Sequence, residues 1–107
     1  GAPWDETEGR VYPDFSNWDR FSALTADIIL MGHTHYALVK SLGDKLVVNP
    51  GSIGQARDQS GGASYAVMEL PSGTVEQRRV SFDPQPLIDD AHRHDPQIPY
   101  LVKVLNR

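Results

Sequence analysis

Two imidazoles two positions apart, His33 and His35 in the run Gly32-His33-Thr34-His35, are the side chains best suited to chemistry in this sequence. Neutral imidazole is the commonest side-chain ligand for Zn, Mn, Fe and Ni. The residues just before, Asp27 to Met31, make a short apolar run with β-branched content, which predicts a strand buried on both faces of a sheet. Ligands gather where such a strand delivers a loop to the carboxyl edge of a sheet. If strand geometry continues through the pair, positions i and i+2 face the same way and both rings point into one cavity. Gly32 lets the backbone turn sharply or approach closely whatever sits there. The spacing is met equally well by two part-exposed polar residues in a turn. A divalent ion takes about four to six ligands, so His33 and His35 need partners from elsewhere. The remaining histidines, His92 and His94, lie in Ala-His-Arg-His-Asp with neither strand nor glycine before them, and read as solvent-facing.

A second group follows downstream. Asn49-Pro50-Gly51-Ser52 begins where a strand should end, since Pro50 biases Asn49 to extended geometry and Gly51 can take a positive φ. These are also ordinary turn residues. Arg57 is the one basic residue between Lys45 and Arg78. A guanidinium suits bidentate contact with phosphate, although most loop arginines are solvated.

The elements that must position these groups can be read from pattern. Residues 1–15 mix Gly, Pro, acids and aromatics without period and read as an irregular loop. Ser16-Asn17-Trp18-Asp19 sets a capping hydroxyl three residues ahead of a carboxylate, and Trp18, Phe21 and Leu24 recur at helical spacing. Together they predict a helix over 17–26. A helix leading straight into an apolar strand is an α/β signature. Tyr36 to Leu42 and Lys45 to Asn49 flank Gly43-Asp44 as a tight hairpin, and a long polar loop then runs to Gly62. Ala63 to Leu70 and Thr74 to Phe82 form a second hairpin, and Leu87 to Arg107 reads as two short helices broken at Pro96 and Pro99. Trp4, Tyr12, Phe15 and Trp18 either pack beneath the opening loop or line a substrate or partner surface. Tyr36 follows the histidine pair and either shapes a pocket mouth or reports β preference alone.

Composition sets outer bounds. The chain has 107 residues, a formal charge of −4, 39% hydrophobic residues and no cysteine. Disulfides, cysteine-built zinc sites and a thiol nucleophile are excluded. No apolar stretch approaches the roughly 20 residues that span a bilayer, and no secretion signal opens the chain, so a cytoplasmic setting without membrane contact is expected. The acidic balance gives no expectation of nucleic-acid binding.

Gly32-His33-Thr34-His35 after an apolar strand, with Asn49-Pro50-Gly51-Ser52-Ile53-Gly54-Gln55-Ala56-Arg57 behind the next hairpin, resembles the C-terminal half of a calcineurin-like metallophosphoesterase. It is most similar to the small bacterial phosphodiesterase subfamily. Gly1-Ala2-Pro3-Trp4 and Ala63-Ser64-Tyr65-Ala66-Val67 match its pattern too, so the resemblance covers most of residues 1–82. It implies an α/β fold, the C-terminal part of a metallophosphoesterase-type β-sandwich flanked by helices. Residues 1–82 would be the C-terminal half of that domain and 83–107 its helical tail.

The resemblance also implies metal-dependent hydrolysis of phosphate mono- or diesters at a two-metal site. His33 would bind one ion and His35 the other, with manganese favoured among Mn, Fe, Ni and Zn. It puts Asn49, Gly51, Ser52 and Arg57 beside the metals, where they would orient ligands or touch substrate. The family's other ligand motifs, Asp-x-His, a metal-binding Gly-Asp, Gly-Asn-His and a lone His, have no counterpart here, since Gly43-Asp44 falls in a hairpin turn. The lone His commonly precedes Gly-Ser/Ala-Pro, and this sequence opens on Gly1-Ala2-Pro3. The expected partner is therefore the N-terminal half of the same domain, carrying those ligands and the general acid. No catalytic acid is expected in this segment, which alone would be inactive. A phosphoester small molecule is the expected substrate, and a homo-oligomer is left open. The competing expectation is a non-catalytic scaffold that binds proteins, because the family includes a retromer subunit of that kind.

Overall fold

The computed structural model describes residues 1–58 and 61–107. In chain order the elements are α1 (Asp19–Ser22), β1 (Ile28–Leu30), β2 (Ala37–Leu42), β3 (Lys45–Pro50), β4 (Ala63–Glu69), β5 (Thr74–Val80), α2 (Gln85–His94) and α3 (Pro99–Leu105). Three strands form one sheet in the order β1-β3-β2, and β4 pairs with β5 in another. Leu42 pairs with Lys45 across Gly43-Asp44. Gly43 has a φ of 64°, which suits the glycine-first version of a two-residue hairpin turn. Both expected hairpins form, and so do both tail helices, with Pro99 in the first turn of α3.

Two local expectations are corrected. The helix predicted over 17–26 is a single turn, Asp19–Ser22, with Trp18 at its N-cap and no side-chain cap from Ser16. Aromatic packing, more than helical hydrogen bonding, holds this segment. Phe21 is wholly buried, with Trp4 edge-on at 5.1 Å and Trp18 stacked at 5.5 Å between ring centroids. Phe15 adds contacts to Trp4 at 5.8 Å and to Trp18 at 5.3 Å. Trp4, Phe15 and Trp18 therefore pack against the core. One satisfied cluster of this kind outweighs the few hydrogen bonds that a longer helix would add.

The second correction concerns β1. It buries Ile29, but Leu30 is 68% exposed on the wall of an open groove, and β1 pairs with β3 alone, at the sheet edge among the described residues. The strand covered on both faces is β3. Its Val47 joins Phe21, Ile29 and Met31 in the core, while Val48 lines the opposite face.

That opposite face is an open apolar groove of about 300 Å³ between the sheets, walled by Leu30, Met31, Val48, Pro50, Ala66, Met68 and Val75. The radius of gyration is 16.1 Å, with extents of 48 × 27 × 19 Å. A compact domain of this length would have a radius of about 13 Å. The two sheets face each other without closing a core between them.

Core and groove should therefore answer differently to truncation. Phe21→Ala is expected to destabilise the chain by about 3–5 kcal/mol, or to abolish its cooperative transition. Leu30→Ala should stay within about 0.5 kcal/mol of the parent. Urea unfolding followed by tryptophan fluorescence reads both.

Candidate functional site

The chain leaves β1 still paired, with the Met31 N–H donating to the Val48 carbonyl at 2.8 Å. It then turns within three residues, as the Thr34 N–H donates to the Gly32 carbonyl at 2.9 Å. His33 has a φ of 74° and His35 a φ of 63°. Both are left-handed, so the pair does not continue a strand, and the expected alternation of side chains does not place the rings. The bend does: His33 is exposed, Thr34 is 1% exposed, and His35 is half-buried. Left-handed backbone at a non-glycine residue costs of order 1–3 kcal/mol and persists only where surroundings enforce it.

Asn49 does the enforcing. It is 1% exposed at the end of β3, and its Nδ2 donates to Thr34 Oγ1 at 3.0 Å and to the Gly32 carbonyl at 3.4 Å. Its Oδ1 accepts the Gly51 N–H at 3.0 Å, and its backbone carbonyl accepts Gln77 Nε2 at 2.9 Å. Thr34 Oγ1 in turn accepts the Tyr36 N–H at 3.4 Å. The buried middle residue of the His-x-His thus anchors the bend while its neighbours stay more accessible.

His35 is held from the other side. Its Nδ1 lies 3.1 Å from the Gln55 carbonyl. A carbonyl only accepts, so Nδ1 carries the proton and Nε2 keeps its lone pair. The His35 carbonyl accepts the Arg57 N–H at 3.1 Å. Gln55 is itself fixed, since its N–H donates to Ser52 Oγ at 3.0 Å. Gly51 has a φ of 87°, and a Cβ there would lie 2.7 Å from Ser64 Oγ, so the turn is closed to other residues. Ser64 donates through Oγ to the Pro50 carbonyl at 2.8 Å and through its N–H to the Ser52 carbonyl at 3.0 Å. Asn49, Gly51 and Ser52 thus form the scaffold beneath the two histidines.

Arg57 is tied to the C-terminal helix. Its Nη2 donates to the Tyr100 hydroxyl on α3 at 3.2 Å. Asp58 pairs with Arg79, whose other nitrogen donates to the Gly61 carbonyl at 2.6 Å. Tyr36 meets Tyr12 edge-on at 5.7 Å, and with Pro13 and Asp14 they line a recess of about 350 Å³. His92 and His94 are exposed on α2, with His94 Nδ1 3.2 Å from an Asp90 carboxylate oxygen. Asp89 and Asp90 are exposed on the same helix.

Among the described residues no group of three or more His, Cys, Asp and Glu could hold a metal ion. His33 and His35 therefore fit a metal only as part of a ligand set. Sequence reasoning missed Thr34, Gln55 and Tyr100. Thr34 is marked in the sequence only as the polar residue inside His-x-His, and Gln55 acts through a backbone carbonyl that no side chain signals.

The sequence model of the calcineurin-like phosphoesterase superfamily domain matches residues 15–73. An uncharacterized protein of Methanocaldococcus jannaschii is 31% identical over 88 residues, covering 68% of this chain and 35% of that protein. The crystal structure of a hypothetical protein from Pyrococcus horikoshii OT3 superposes with a TM-score of 0.80 at 23% identity, over 98% of this chain and 43% of the other. The chain thus spans well under half the length of both relatives.

The hydrogen bonds of Asn49 make a direct test. Asn49→Ala leaves several buried partners unsatisfied, each worth about 1–3 kcal/mol. Denaturant unfolding should register at least that loss, and the backbone amides of His33 and His35 should shift most in NMR spectra of the variant.

Proposed function

Because this chain belongs to the calcineurin-like phosphoesterase superfamily, we propose that it supplies His33 and His35 as metal ligands to a site that hydrolyses phosphate mono- or diesters. The single observation that carries the reading is the His35 arrangement. A carbonyl holds Nδ1–H, so Nε2 is presented with its lone pair, as in metal-binding histidines whose second nitrogen is tied down. His33 stands exposed on the same bend, two residues away.

Two divalent ions bound there, manganese foremost, would acidify a water and neutralise charge on the phosphate oxygens. The chain's own contribution is orientation. Asn49 and Thr34 fix the bend, the Ser52–Gln55 turn fixes the His35 tautomer, and Gly51 lets Ser64 approach closely enough to brace both. No general acid is assigned to this segment.

The remaining ligands and the acid belong, in this reading, to the N-terminal half of the same domain. Residues 1–82 would complete a sandwich with it and 83–107 would cover one side. The unpaired edge of β1 and the apolar groove beside it support such a partner. The subfamily is that of small bacterial phosphodiesterases, and a cysteine-free sequence fits a cytoplasmic setting. No helix of the described residues is long and apolar enough to cross a membrane.

Manganese titration of the chain with isotope-labelled histidines tests the ligand assignment. Paramagnetic broadening should reach His33 and His35 before His92 and His94. His33→Ala removes the ligand assigned to one of the two ions and should weaken manganese broadening at the bend, since loss of an outer partner alone costs roughly tenfold in affinity. In a protein carrying this segment joined to the rest of its domain, the same substitution should abolish manganese-dependent hydrolysis of a generic phosphodiester. Retained activity would refute the ligand assignment of His33, whereas no activity in the unsubstituted protein would favour a scaffold.

A further inference from the structure

His35 is held at two points by one short stretch of loop. The Gln55 carbonyl takes its Nδ1–H, and the Arg57 N–H takes up its carbonyl. Ser52 fixes the near end of that stretch through the Gln55 N–H. At the far end stands the Arg57 guanidinium, whose Nη2 donates to the Tyr100 hydroxyl at 3.2 Å. Arg57 Nε is shielded from solvent and has no hydrogen-bond partner among the described residues. A guanidinium with one N–H already desolvated and unmatched depends more heavily on the bonds it keeps.

Tyr100, 42% exposed, is the second residue of α3, a helix that sequence pattern alone leaves as a tail. Pro99 begins α3 with its φ pre-set, and Val104, 5% exposed, buries the helix toward the α2 side of the molecule. The hydroxyl is thus delivered by a seated helix and not by a free terminus.

We propose that Tyr100 is a positioning residue for His35, acting through Arg57 to hold the Gln55–Arg57 stretch and with it the proton on Nδ1. The inference rests on the reading of His35 as a metal ligand only for its functional meaning. The tie itself is a property of the chain without metal. Through it the C-terminal helix becomes part of what prepares Nε2, and Arg57 works as a strut in place of a phosphate clamp.

The test is the tautomer of His35, read from its ring nitrogens by long-range ¹⁵N NMR on the metal-free chain, about two pH units above the ordinary imidazole value. The parent should be dominated by the Nδ1–H form. Tyr100→Phe keeps the ring and loses the hydroxyl, and should lower the ratio of Nδ1–H to Nε2–H by up to about fivefold, the population equivalent of one typical hydrogen bond. Arg57→Met should do the same, whereas Arg57→Lys, which retains a donor, should recover part of the parent ratio. Ile88→Val, a core change in α2, controls for stability alone and should lower the melting temperature without moving the tautomer. If Tyr100→Phe behaves like Ile88→Val, the contact is merely structural and the proposal falls. Manganese broadening in a protein carrying this segment joined to the rest of its domain separates the two readings. Its absence from His35 there would remove the metal assignment, while the tautomer comparison would still decide the role of Tyr100.

Discussion

One buried hydrogen bond, from the Asn49 amide to the Thr34 hydroxyl, is the contact on which the site depends. Both residues are 1% exposed, and water cannot replace either partner. The same amide group reaches the Gly32 carbonyl and the Gly51 N–H, so a single side chain ties the exit of β1 to the exit of β3. Without it, the left-handed departures at His33 and His35, on either side of Thr34, would have nothing to balance their strain. The accessible histidines are in this sense the outer face of a buried polar joint.

Around that joint the fold is asymmetric. One face of β3 is closed by Phe21 and the aromatic residues of the first eighteen, and the other opens into the groove beside β4 and β5. Bare strand edges beside apolar surface invite pairing with another chain. β1 has that character, with an unpaired side among the described residues and Leu30 turned to solvent. The relatives are more than twice as long, and a protein of that length has the material to cover such a face.

Much of the architecture was legible because it rests on local chemistry. Gly43-Asp44 marks its hairpin by the one residue type that takes a positive φ freely there. The second hairpin and the proline-started α3 follow from equally short-range signals. The helix predicted over 17–26 failed where local pattern met long-range packing. Trp18, Phe21 and Leu24 do share a periodicity, yet Trp4, from the opening loop, stacks on Phe15 and meets Phe21 edge-on, and so decides how those rings are used. The apolar run at β1 misled for the opposite reason. Composition reports how greasy a strand is, not how many neighbours it has.

The histidine pair divides in the same way. Residue type and spacing alone determined that His33 and His35 are the candidate ligands and that they are too few for a complete site, and the family resemblance of the sequence put Asn49, Gly51 and Ser52 near them. Tertiary structure decided how they are presented: by a left-handed bend and not a strand, with Thr34 turned inward, a backbone carbonyl choosing the His35 tautomer, and Arg57 bound to α3. The reason is physical. Ligand chemistry resides in a side chain, whereas a ring's direction and proton are set by hydrogen bonds from Asn49 and Gln55, residues brought to the bend by folding alone.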